Sequence, residues 1–187
     1  MPADLSGNRD GFVIWIEGLS GSGKSTLSRE VRGRLSSLGW RTEILDGDEV
    51  RHMFSPELGF SRRDREFHAR RVSYVARMLA RNGVAVIVAM ITPYETSRQA
   101  ARSEVAARFV EVWLKCPLEI CRQRDPKGIY KSSREGSVKK MTGVDDPFEE
   151  PLNPELVVDT SSASVSDCTG KILGYLQTAG LLGKPPS

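Results

Sequence analysis

Apolar residues along the chain fall into short β-branched runs separated by longer segments of helical period. Each short run has the length and composition of a buried strand. The five predicted strands are Phe12 to Glu17, Thr42 to Leu45, Val84 to Met90, Phe109 to Leu114 and Leu156 to Asp159. Strands that alternate with helices predict right-handed crossovers and a parallel sheet covered on both faces. The pattern therefore predicts a doubly wound α/β fold with a five-stranded parallel sheet.

The clearest helix pattern runs from Arg62 to Asn82. Ser61 and Asp64 form a capping-box pattern at its start, and Asn82 followed by Gly83 is typical of a helix end. Ligands of doubly wound folds bind beyond the carboxyl ends of the strands. Functional residues are therefore expected just after each predicted strand.

The length of 187 residues fits one domain. We predict a single domain over residues 1–187, with a polar extension at residues 1–10. Residues 125–154 are rich in Lys, Gly, Ser and Pro and lack a clear period. Such a long segment predicts a functional loop, here a lid over the site.

Charge and cysteine content limit the possible partners. The formal net charge of +3 is too small for a protein that coats nucleic acid, although it allows a local basic pocket. The three cysteines form no C-x-x-C pair, which argues against a disulfide framework. The longest apolar run, Val84 to Ile91, is far too short to span a bilayer, and the polar N-terminus does not resemble an export signal. We expect a cytoplasmic protein without nucleic-acid or membrane partners.

A glycine-rich motif, GLSGSGKS, follows the first predicted strand and matches G-x-x-x-x-G-K-S, the P-loop. Its glycines let backbone amides converge on phosphate oxygens at the start of a helix. Lys24 is expected to reach the β- and γ-phosphates, and the Ser25 hydroxyl to bind Mg²⁺. The residues predicted to bind ATP here are Gly18, Leu19, Ser20, Gly21, Ser22, Gly23, Lys24, Ser25 and Thr26. The alternative is a glycine-rich turn that only connects strand to helix.

Two carboxylates, Asp46 and Asp48, follow the second predicted strand. Asp46 is expected to hold Mg²⁺ together with Ser25, and Asp48 to orient an acceptor hydroxyl and take its proton. Lys24, Asp46 and Asp48 are the predicted catalytic residues. The chain has no N-K-x-D segment for guanine, so a kinase of P-loop NTPase type for a small acceptor is favoured over a GTPase. Alternatively, Asp46 caps the following helix and Asp48 is solvated.

Five segments occur in the order and spacing of adenylylsulfate kinases, also called APS kinases. They are GLSGSGKST, LDGDEVR, LGFSRRDREFHARR, RDPKGIYKSSREG and TGVDDPFEEPLNPEL. The chain resembles this family over roughly residues 11–182. The resemblance implies that ATP, with Mg²⁺, phosphorylates the 3′-hydroxyl of adenosine 5′-phosphosulfate (APS) in sulfate assimilation. It also implies a homodimer.

The resemblance implies roles for individual side chains. Phe60 is expected to stack on the acceptor adenine while Arg51 and Arg65 hold its phosphosulfate, which agrees with the preference of bases for aromatic faces and of oxyanions for arginine. Arg122 or Arg124 is expected beside the ATP adenine. The full set expected at the acceptor is Asp48, Arg51, Phe60, Arg65, His68, Ile91, Thr92, Lys127 and Met141. Phe60 is alternatively a hydrophobic staple before the Ser61 cap.

Three positions depart from the family pattern, and all are expected near the acceptor. His68 stands where the family usually has Asn, and an imidazole is able to become charged near neutral pH. Met141 replaces an aromatic residue that would sandwich the acceptor base opposite Phe60, and its thioether still covers a ring. Thr92 replaces Ser, and with Glu95 it forms a T-x-x-E capping-box pattern, the interpretation that we favour.

These departures leave two alternative functions open. The first is an enzyme of the same chemistry that phosphorylates a different nucleotide or nucleotide anhydride. The second is a non-catalytic module that keeps the nucleotide site. The intact Lys24, Asp46, Asp48 and Arg51 argue against the second alternative.

Overall fold

Five short apolar segments form the strands of one parallel sheet in the computed structural model, which describes residues 11–106, 108–126, 128–134 and 141–183. The strand order is β2-β3-β1-β4-β5. The strands are β1 (Phe12–Glu17), β2 (Thr42–Asp46), β3 (Ala85–Ala89), β4 (Phe109–Lys115) and β5 (Leu156–Asp159). All five predicted strands are therefore confirmed, with ends that shift by at most one residue. The predicted α/β class with a five-stranded parallel sheet is also confirmed.

Seven helices of the described residues connect and follow these strands. They are α1 (Lys24–Ser37), α2 (Gly47–Phe54), α3 (Arg62–Ala80), α4 (Glu95–Val105), α5 (Leu118–Arg124), α6 (Ile129–Arg134) and α7 (Val165–Thr178). The predicted capping box of α3 is confirmed: the Asp64 amide donates to Ser61 Oγ (3.2 Å) and the Ser61 amide donates to Asp64 Oδ2 (3.3 Å). Among these helices, none is long and apolar enough to cross a membrane.

Strand β1 lies at the centre of the sheet, and its side chains alternate between two apolar clusters. Phe12, Ile14 and Ile16 pack with residues of α1 and α7, whereas Val13 and Trp15 pack with residues of α3 and α4. All of β1 is buried, which explains why its sequence is a continuous apolar run rather than an alternating one. Both faces of the sheet are thus covered, as the doubly wound class requires.

The segment predicted to be a lid contains the short helix α6 and a long non-helical stretch from residue 141 to residue 155. A third apolar cluster forms beneath it, where Cys116, Cys121, Tyr130 and Met141 are buried together. Lys127 and residues 135–140, to which part of the lid prediction applies, lie outside the described residues. The single domain over residues 1–187 stays a prediction, and its extension at residues 1–10 also lies outside them.

An ion cluster is buried beside β1, at the end of the strand that leads into the P-loop. Arg98 is fully buried and forms hydrogen bonds to Glu95 Oε2 (2.7 and 3.0 Å), while its Nε lies 3.6 Å from Glu17 Oε1 and 3.5 Å from Glu111 Oε1. Arg102 extends the cluster. It donates to Glu111 Oε2 (2.8 Å) and forms a bidentate pair with Glu155. We call Glu17, Glu95, Arg98, Arg102, Glu111 and Glu155 the Arg98 cluster.

Four carboxyl groups share two guanidinium groups in this cluster, and Glu17 is the least well compensated. It is fully buried, and among the described residues neither of its oxygens has a hydrogen-bond partner. Burial raises the pKa of Glu17 well above its usual value, with a further rise from the charge of Glu111, while Arg98 acts in the opposite direction. A buried carboxyl group with too little positive charge nearby holds its proton more tightly.

The raised pKa of Glu17 makes the stability of the fold depend on pH. Because the folded-state pKa is raised, the folded protein binds more protons than the unfolded chain between the usual and the raised value. Its free energy of unfolding therefore falls as pH rises through that window. In Glu17→Gln, a neutral side chain of the same shape, this loss should disappear. Urea unfolding at a series of pH values should show the two proteins diverging with rising pH.

The exposed Glu30, which forms an i,i+4 pair with Arg34, provides the control for this measurement. Glu30→Gln should follow the wild-type pH dependence. If the free energy of unfolding changed with pH in the same way for wild type and Glu17→Gln, the Glu17 carboxyl would instead be ionised in the folded protein.

Candidate active site

The P-loop turns sharply between β1 and α1 because three of its glycines have positive φ. Gly18, Gly21 and Gly23 have φ values of 144°, 77° and 98°, a region that other residues adopt only with strain. At Gly21 a Cβ would lie 2.6 Å from the carbonyl oxygen of Cys121, so only glycine fits there. At Gly23 a Cβ would meet nothing within 4 Å, which leaves the start of α1 open to a ligand.

Lys24 lies across this loop. Its Nζ donates to the carbonyl oxygens of Gly18 (3.0 Å) and Leu19 (2.8 Å). The ammonium group is thus held over the loop at the N-terminal end of α1, where the helix dipole also favours an anion. This geometry agrees with the predicted phosphate cradle rather than with a simple connecting turn.

Two side chains from distant parts of the chain support the P-loop from outside. Tyr130 of α6 donates from its hydroxyl to the Ser20 carbonyl (2.9 Å), and Thr160, after β5, donates to the Ser22 carbonyl (2.9 Å). Sequence reasoning did not single out either residue. A tyrosine within the predicted lid and a threonine just after the last strand were the available signals.

Ser25 and Asp46 connect the P-loop helix to the end of β2. The Ser25 hydroxyl donates to Asp46 Oδ2 (2.7 Å), and the amide of Asp48 donates to Asp46 Oδ1 (3.1 Å), which caps α2. The capping role that was an alternative for Asp46 is therefore confirmed. The same carboxylate also contacts Ser25, so the cap does not exclude metal binding. Asp48 is exposed in the first turn of α2.

The oxygens of Ser25 and Asp46 are hard donors of the kind that Mg²⁺ prefers. Within the described part of the chain, no group of three or more His, Cys, Asp or Glu side chains could hold a metal ion. Mg²⁺ in kinases is typically held by one or two protein oxygens plus substrate phosphates and water. The Ser25–Asp46 pair fits that pattern.

Phe60 lies at the surface between two arginines. Its side chain is 53% exposed and belongs to none of the three apolar clusters, which argues against a hydrophobic staple to an apolar residue. The guanidinium carbons of Arg51 and Arg65 lie 4.9 and 5.4 Å from the ring centroid. Arg51 also donates to the Gly59 carbonyl (2.9 Å), and Arg65 to the Phe60 carbonyl (3.1 Å).

These two cations are held close together in a partly buried place. Burial, and then the charge of Arg65, lower the pKa of Arg51, while burial lowers the pKa of Arg65 against the opposing effect of Asp146. Arg65 is only 11% exposed and lies 3.6 Å from Asp146 Oδ2. Adjacent positive groups that lose hydration gain most from an anion that contacts both. The pair therefore has the electrostatics of an anion site.

His68 is buried on α3, with its Nδ1 3.0 Å from Ser55 Oγ. Burial, and then the charge of Arg51, lower the pKa of His68 to about 4, although the backbone of Gly47 acts in the opposite direction. The imidazole is therefore neutral at pH 7. The ability of a free imidazole to become charged near neutral pH is suppressed here, because a cation at this position would be poorly hydrated and next to arginine.

Thr92 does not form the predicted capping box. It is buried after β3 with φ of 41°, in the left-handed region that a β-branched residue adopts at a cost of about 1–2 kcal/mol. Its Oγ1 accepts a hydrogen bond from Trp15 Nε1 (2.9 Å). The amide of Glu95, which opens α4, donates instead to Glu149 Oε2 (2.7 Å). The capping prediction for Thr92 is therefore wrong, because a distant carboxylate satisfies the helix start.

Met141 is also buried, and it packs in the third apolar cluster. A base sandwiched between Met141 and Phe60 stays a prediction, and it requires Met141 to expose a face that is covered here. Ile91, beside Thr92, is half-buried. Lys127 lies outside the described residues, so its predicted contact with the acceptor is not described.

The two arginines predicted beside the ATP adenine lie in the last turn of α5. Arg124 donates to the Thr160 carbonyl (2.7 Å) and to Cys116 Sγ (3.6 Å), so it contacts the same segment that supports Ser22. Arg122 is exposed. Contact of either side chain with ATP stays a prediction.

An open cleft of about 580 Å³ lies next to the P-loop. It is bounded by Leu19, by the end of β4 with Cys116, and by residues 143–148 of the predicted lid segment. Gly143 approaches Leu19 so closely that a Cβ would lie 2.7 Å from its side chain. The cleft has the size of a small-ligand site, although it includes neither Lys24 nor Phe60.

The neutral state of His68 is directly measurable. In an NMR titration its ring resonances should show a midpoint near pH 4 and no change of charge from about pH 6 to pH 8. The exposed His52 is the other histidine of the chain, and His52→Gln assigns the signals. A midpoint of about 6.5, the value of a free imidazole, would contradict the burial of His68.

Comparison with known proteins identifies the family. The family model described as adenylylsulphate kinase matches residues 10–159. The adenylyl-sulfate kinase of Synechococcus sp. (strain JA-3-3Ab) is 47% identical over 174 residues, which cover 93% of this chain and 98% of that protein. The probable adenylyl-sulfate kinase of Archaeoglobus fulgidus is 50% identical over 149 residues, covering 80% and 96% of the two chains.

A solved structure agrees with these relatives. The APS kinase of Mycobacterium tuberculosis in complex with AMPPNP and APS superimposes with a TM-score of 0.87 at 37% identity, covering 90% of this chain and 98% of that one. The predictions of the family and of an ATP-dependent kinase are confirmed. The chain belongs to the adenylylsulphate kinase family.

Proposed function

We propose that the protein transfers the γ-phosphoryl group of ATP to the 3′-hydroxyl of APS, which gives 3′-phosphoadenosine 5′-phosphosulfate (PAPS) and ADP. We call Phe60, Arg51 and Arg65 the aromatic–arginine site. One observation carries the proposal: helix α2 connects the P-loop to this site. Asp46, which caps α2, contacts Ser25 of the P-loop, and Arg51 on the same helix lies over the Phe60 ring. A phosphate cradle and a site for an anionic nucleotide are thus fixed to one short helix.

On the donor side, Lys24 and the P-loop amides stabilise the negative charge of the transferring phosphoryl group. The transition state of phosphoryl transfer is loose, so positioning and electrostatics supply most of the catalysis. Lys24 already lies over the loop through its bonds to Gly18 and Leu19. With ATP bound, its ammonium group exchanges these carbonyls for phosphate oxygens.

Ser25 and Asp46 would hold Mg²⁺, which neutralises phosphate charge when it is bound. Asp48, two residues further on and exposed in the first turn of α2, orients the acceptor hydroxyl and takes its proton. Because Asp46 accepts the Asp48 amide, the backbone positions of the two carboxylates are linked.

On the acceptor side, Arg51 and Arg65 bind the phosphosulfate and Phe60 binds the adenine. Both guanidinium groups lie over the ring without a ligand. When they move to the anion, they uncover a face of Phe60 for the base. A ligand that carries both a base and a neighbouring anion therefore satisfies this site better than either part alone.

The three departures from the family pattern support APS rather than a different acceptor. His68, Thr92 and Met141 are 1%, 3% and 5% exposed. Their substitution therefore alters packing beneath the site more than the surface that a ligand meets. The exposed aromatic–arginine site retains the residues that the resemblance assigns to APS. A homodimer, which the same resemblance implies, and a cytoplasmic location, which the cysteine content and the polar N-terminus predict, stay predictions.

The proposal is tested by ADP release with a panel of acceptors, with the product identified by mass spectrometry. APS should stimulate ADP release strongly and yield PAPS, whereas AMP, which lacks the sulfate, should stimulate it weakly. Faster turnover with another nucleotide would identify that nucleotide, and not APS, as the acceptor. ADP release that is the same with and without every acceptor would exclude a kinase of this class.

Lys24→Ala should lower kcat by at least about 100-fold, because it removes a charge that acts on the transition state. Circular dichroism and thermal unfolding should remain close to wild type, since Lys24 donates to the loop carbonyls of Gly18 and Leu19 and is not part of an apolar cluster. Lys171→Ala, at an exposed position of α7, is the matched control and should keep full activity. Near-normal turnover of Lys24→Ala would remove this residue from the mechanism.

Phe60→Ala should raise KM for APS by about tenfold or more, because stacking of a base on an aromatic ring contributes about 1–3 kcal/mol. KM for ATP should change less than twofold. Phe67→Ala is the matched control, since Phe67 is also exposed on the surface with an arginine, Arg63, 5.5 Å from its ring. Equal effects of Phe60→Ala on both KM values would assign Phe60 a structural role.

A further inference from the structure

The unusual backbone of Thr92 is fixed by two buried donors. Trp15 Nε1 donates to the Thr92 hydroxyl (2.9 Å), and Arg98 Nη1 donates to the Thr92 carbonyl (2.9 Å). Trp15 and Arg98 are both fully buried, and Thr92 is 3% exposed. A non-glycine residue with positive φ persists only where its surroundings over-determine it. Here one bond to the side chain and one to the backbone provide that constraint.

The Arg98 guanidinium is itself held in place by charge. It lies within the Arg98 cluster, bonded to Glu95 and flanked by Glu17 and Glu111. Glu17 is the last residue of β1 and directly precedes Gly18 of the P-loop. Thr92 is therefore fixed relative to the strand that carries the phosphate cradle.

The turn at Thr92 determines where the next residues lie. The Glu149 amide donates to the Pro93 carbonyl (2.8 Å), and the Glu95 amide donates to the Glu149 carboxylate (2.7 Å). The Tyr94 hydroxyl donates to Asp146 Oδ2 (3.2 Å). Residues 146–149, in the later part of the predicted lid segment, are thus docked onto residues 93–95.

Asp146 connects this docked segment to the acceptor site. The carboxylate oxygen that accepts from Tyr94 lies 3.6 Å from Nε of Arg65. Arg65 is one of the two arginines over Phe60. A continuous series of contacts therefore runs from Trp15 and Arg98 through Thr92 and the docked segment to the acceptor arginine.

We propose that Trp15 and Arg98 are positioning residues for the acceptor, because they fix Thr92 and thereby the Tyr94–Asp146 contact that holds Arg65. The inference rests on the proposed function and adds to it a determinant of acceptor affinity that no ligand touches. Thr92 transmits this constraint through its backbone carbonyl and its buried hydroxyl.

Two conservative variants test the proposal. Thr92→Val keeps the shape of the side chain but removes the acceptor of the Trp15 bond, and Trp15→Phe keeps an aromatic ring but removes the donor. Each should raise KM for APS by about three- to tenfold, as expected for one buried hydrogen bond. KM for ATP should change less than twofold. The double variant should be no worse than the single variants, because both remove the same bond.

Matched controls separate this effect from a general loss of stability. Trp40→Phe removes a buried indole that packs against Phe12 on the opposite face of the sheet. Thr169→Val removes a buried hydroxyl that donates within α7. Both should lower the melting temperature without changing the ratio of the two KM values. If they change that ratio as much as Thr92→Val does, the proposal is overturned.

Hydrogen exchange of the ligand-free protein tests the same coupling without any substrate. The amides of Glu95 and Glu149 should exchange faster in Thr92→Val and Trp15→Phe, but not in Trp40→Phe. Unchanged exchange would overturn the proposal even if the wild-type enzyme uses APS. Faster exchange with an unchanged ratio of KM values would overturn the role in acceptor binding. If APS is not the substrate, the proposed function fails through the acceptor panel, while the exchange result still decides whether Thr92 holds residues 146–149.

Discussion

The burial of β1 on both faces is the constraint on which the rest of the structure depends. Because β1 lies between β3 and β4, its carboxyl end opens at the middle of the sheet edge. The P-loop begins there, while β2 and β3 deliver Asp46 and the turn at Thr92 to the same edge. In parallel sheets every strand contributes its carboxyl end to one edge. A single buried apolar strand thus fixes the place at which all other functional segments meet.

Charge is distributed differently around Phe60 and around Glu17. Near Phe60, two partly buried arginines lie close together and gain from an anion. At the end of β1, by contrast, four carboxyl groups including Glu17 share two guanidinium groups, and burial raises the pKa of Glu17. The first arrangement is suited to bind a ligand. The second is closed, and its contacts serve to hold Thr92 and the start of the P-loop in one geometry.

The departures from the family pattern illustrate how burial changes the meaning of a substitution. His68 and Met141 attract attention in the sequence because polar, sulfur and aromatic side chains are common ligand contacts. Both are almost fully covered by protein, His68 against Ser55 and Met141 among the residues of the third cluster. Their influence on a ligand is therefore exerted through the shape of the supporting structure. In the proposed function, direct recognition of the acceptor belongs to the partly buried Arg51 and the exposed Phe60.

The sequence by itself determined those features that depend on neighbours in the chain. The five strands follow from apolar runs, the P-loop from its glycines and lysine, and the start of α3 from the Ser61–Asp64 capping box. Features that depend on burial or on distant partners were decided only by the tertiary structure. The local pattern at Thr92 predicted a cap, yet Glu149, 54 residues from Glu95, satisfies the helix start, and Trp15 takes the hydroxyl. The protonation of His68 and Glu17 follows the same rule, because the pKa of a side chain depends on the water it loses and the charges that folding brings near.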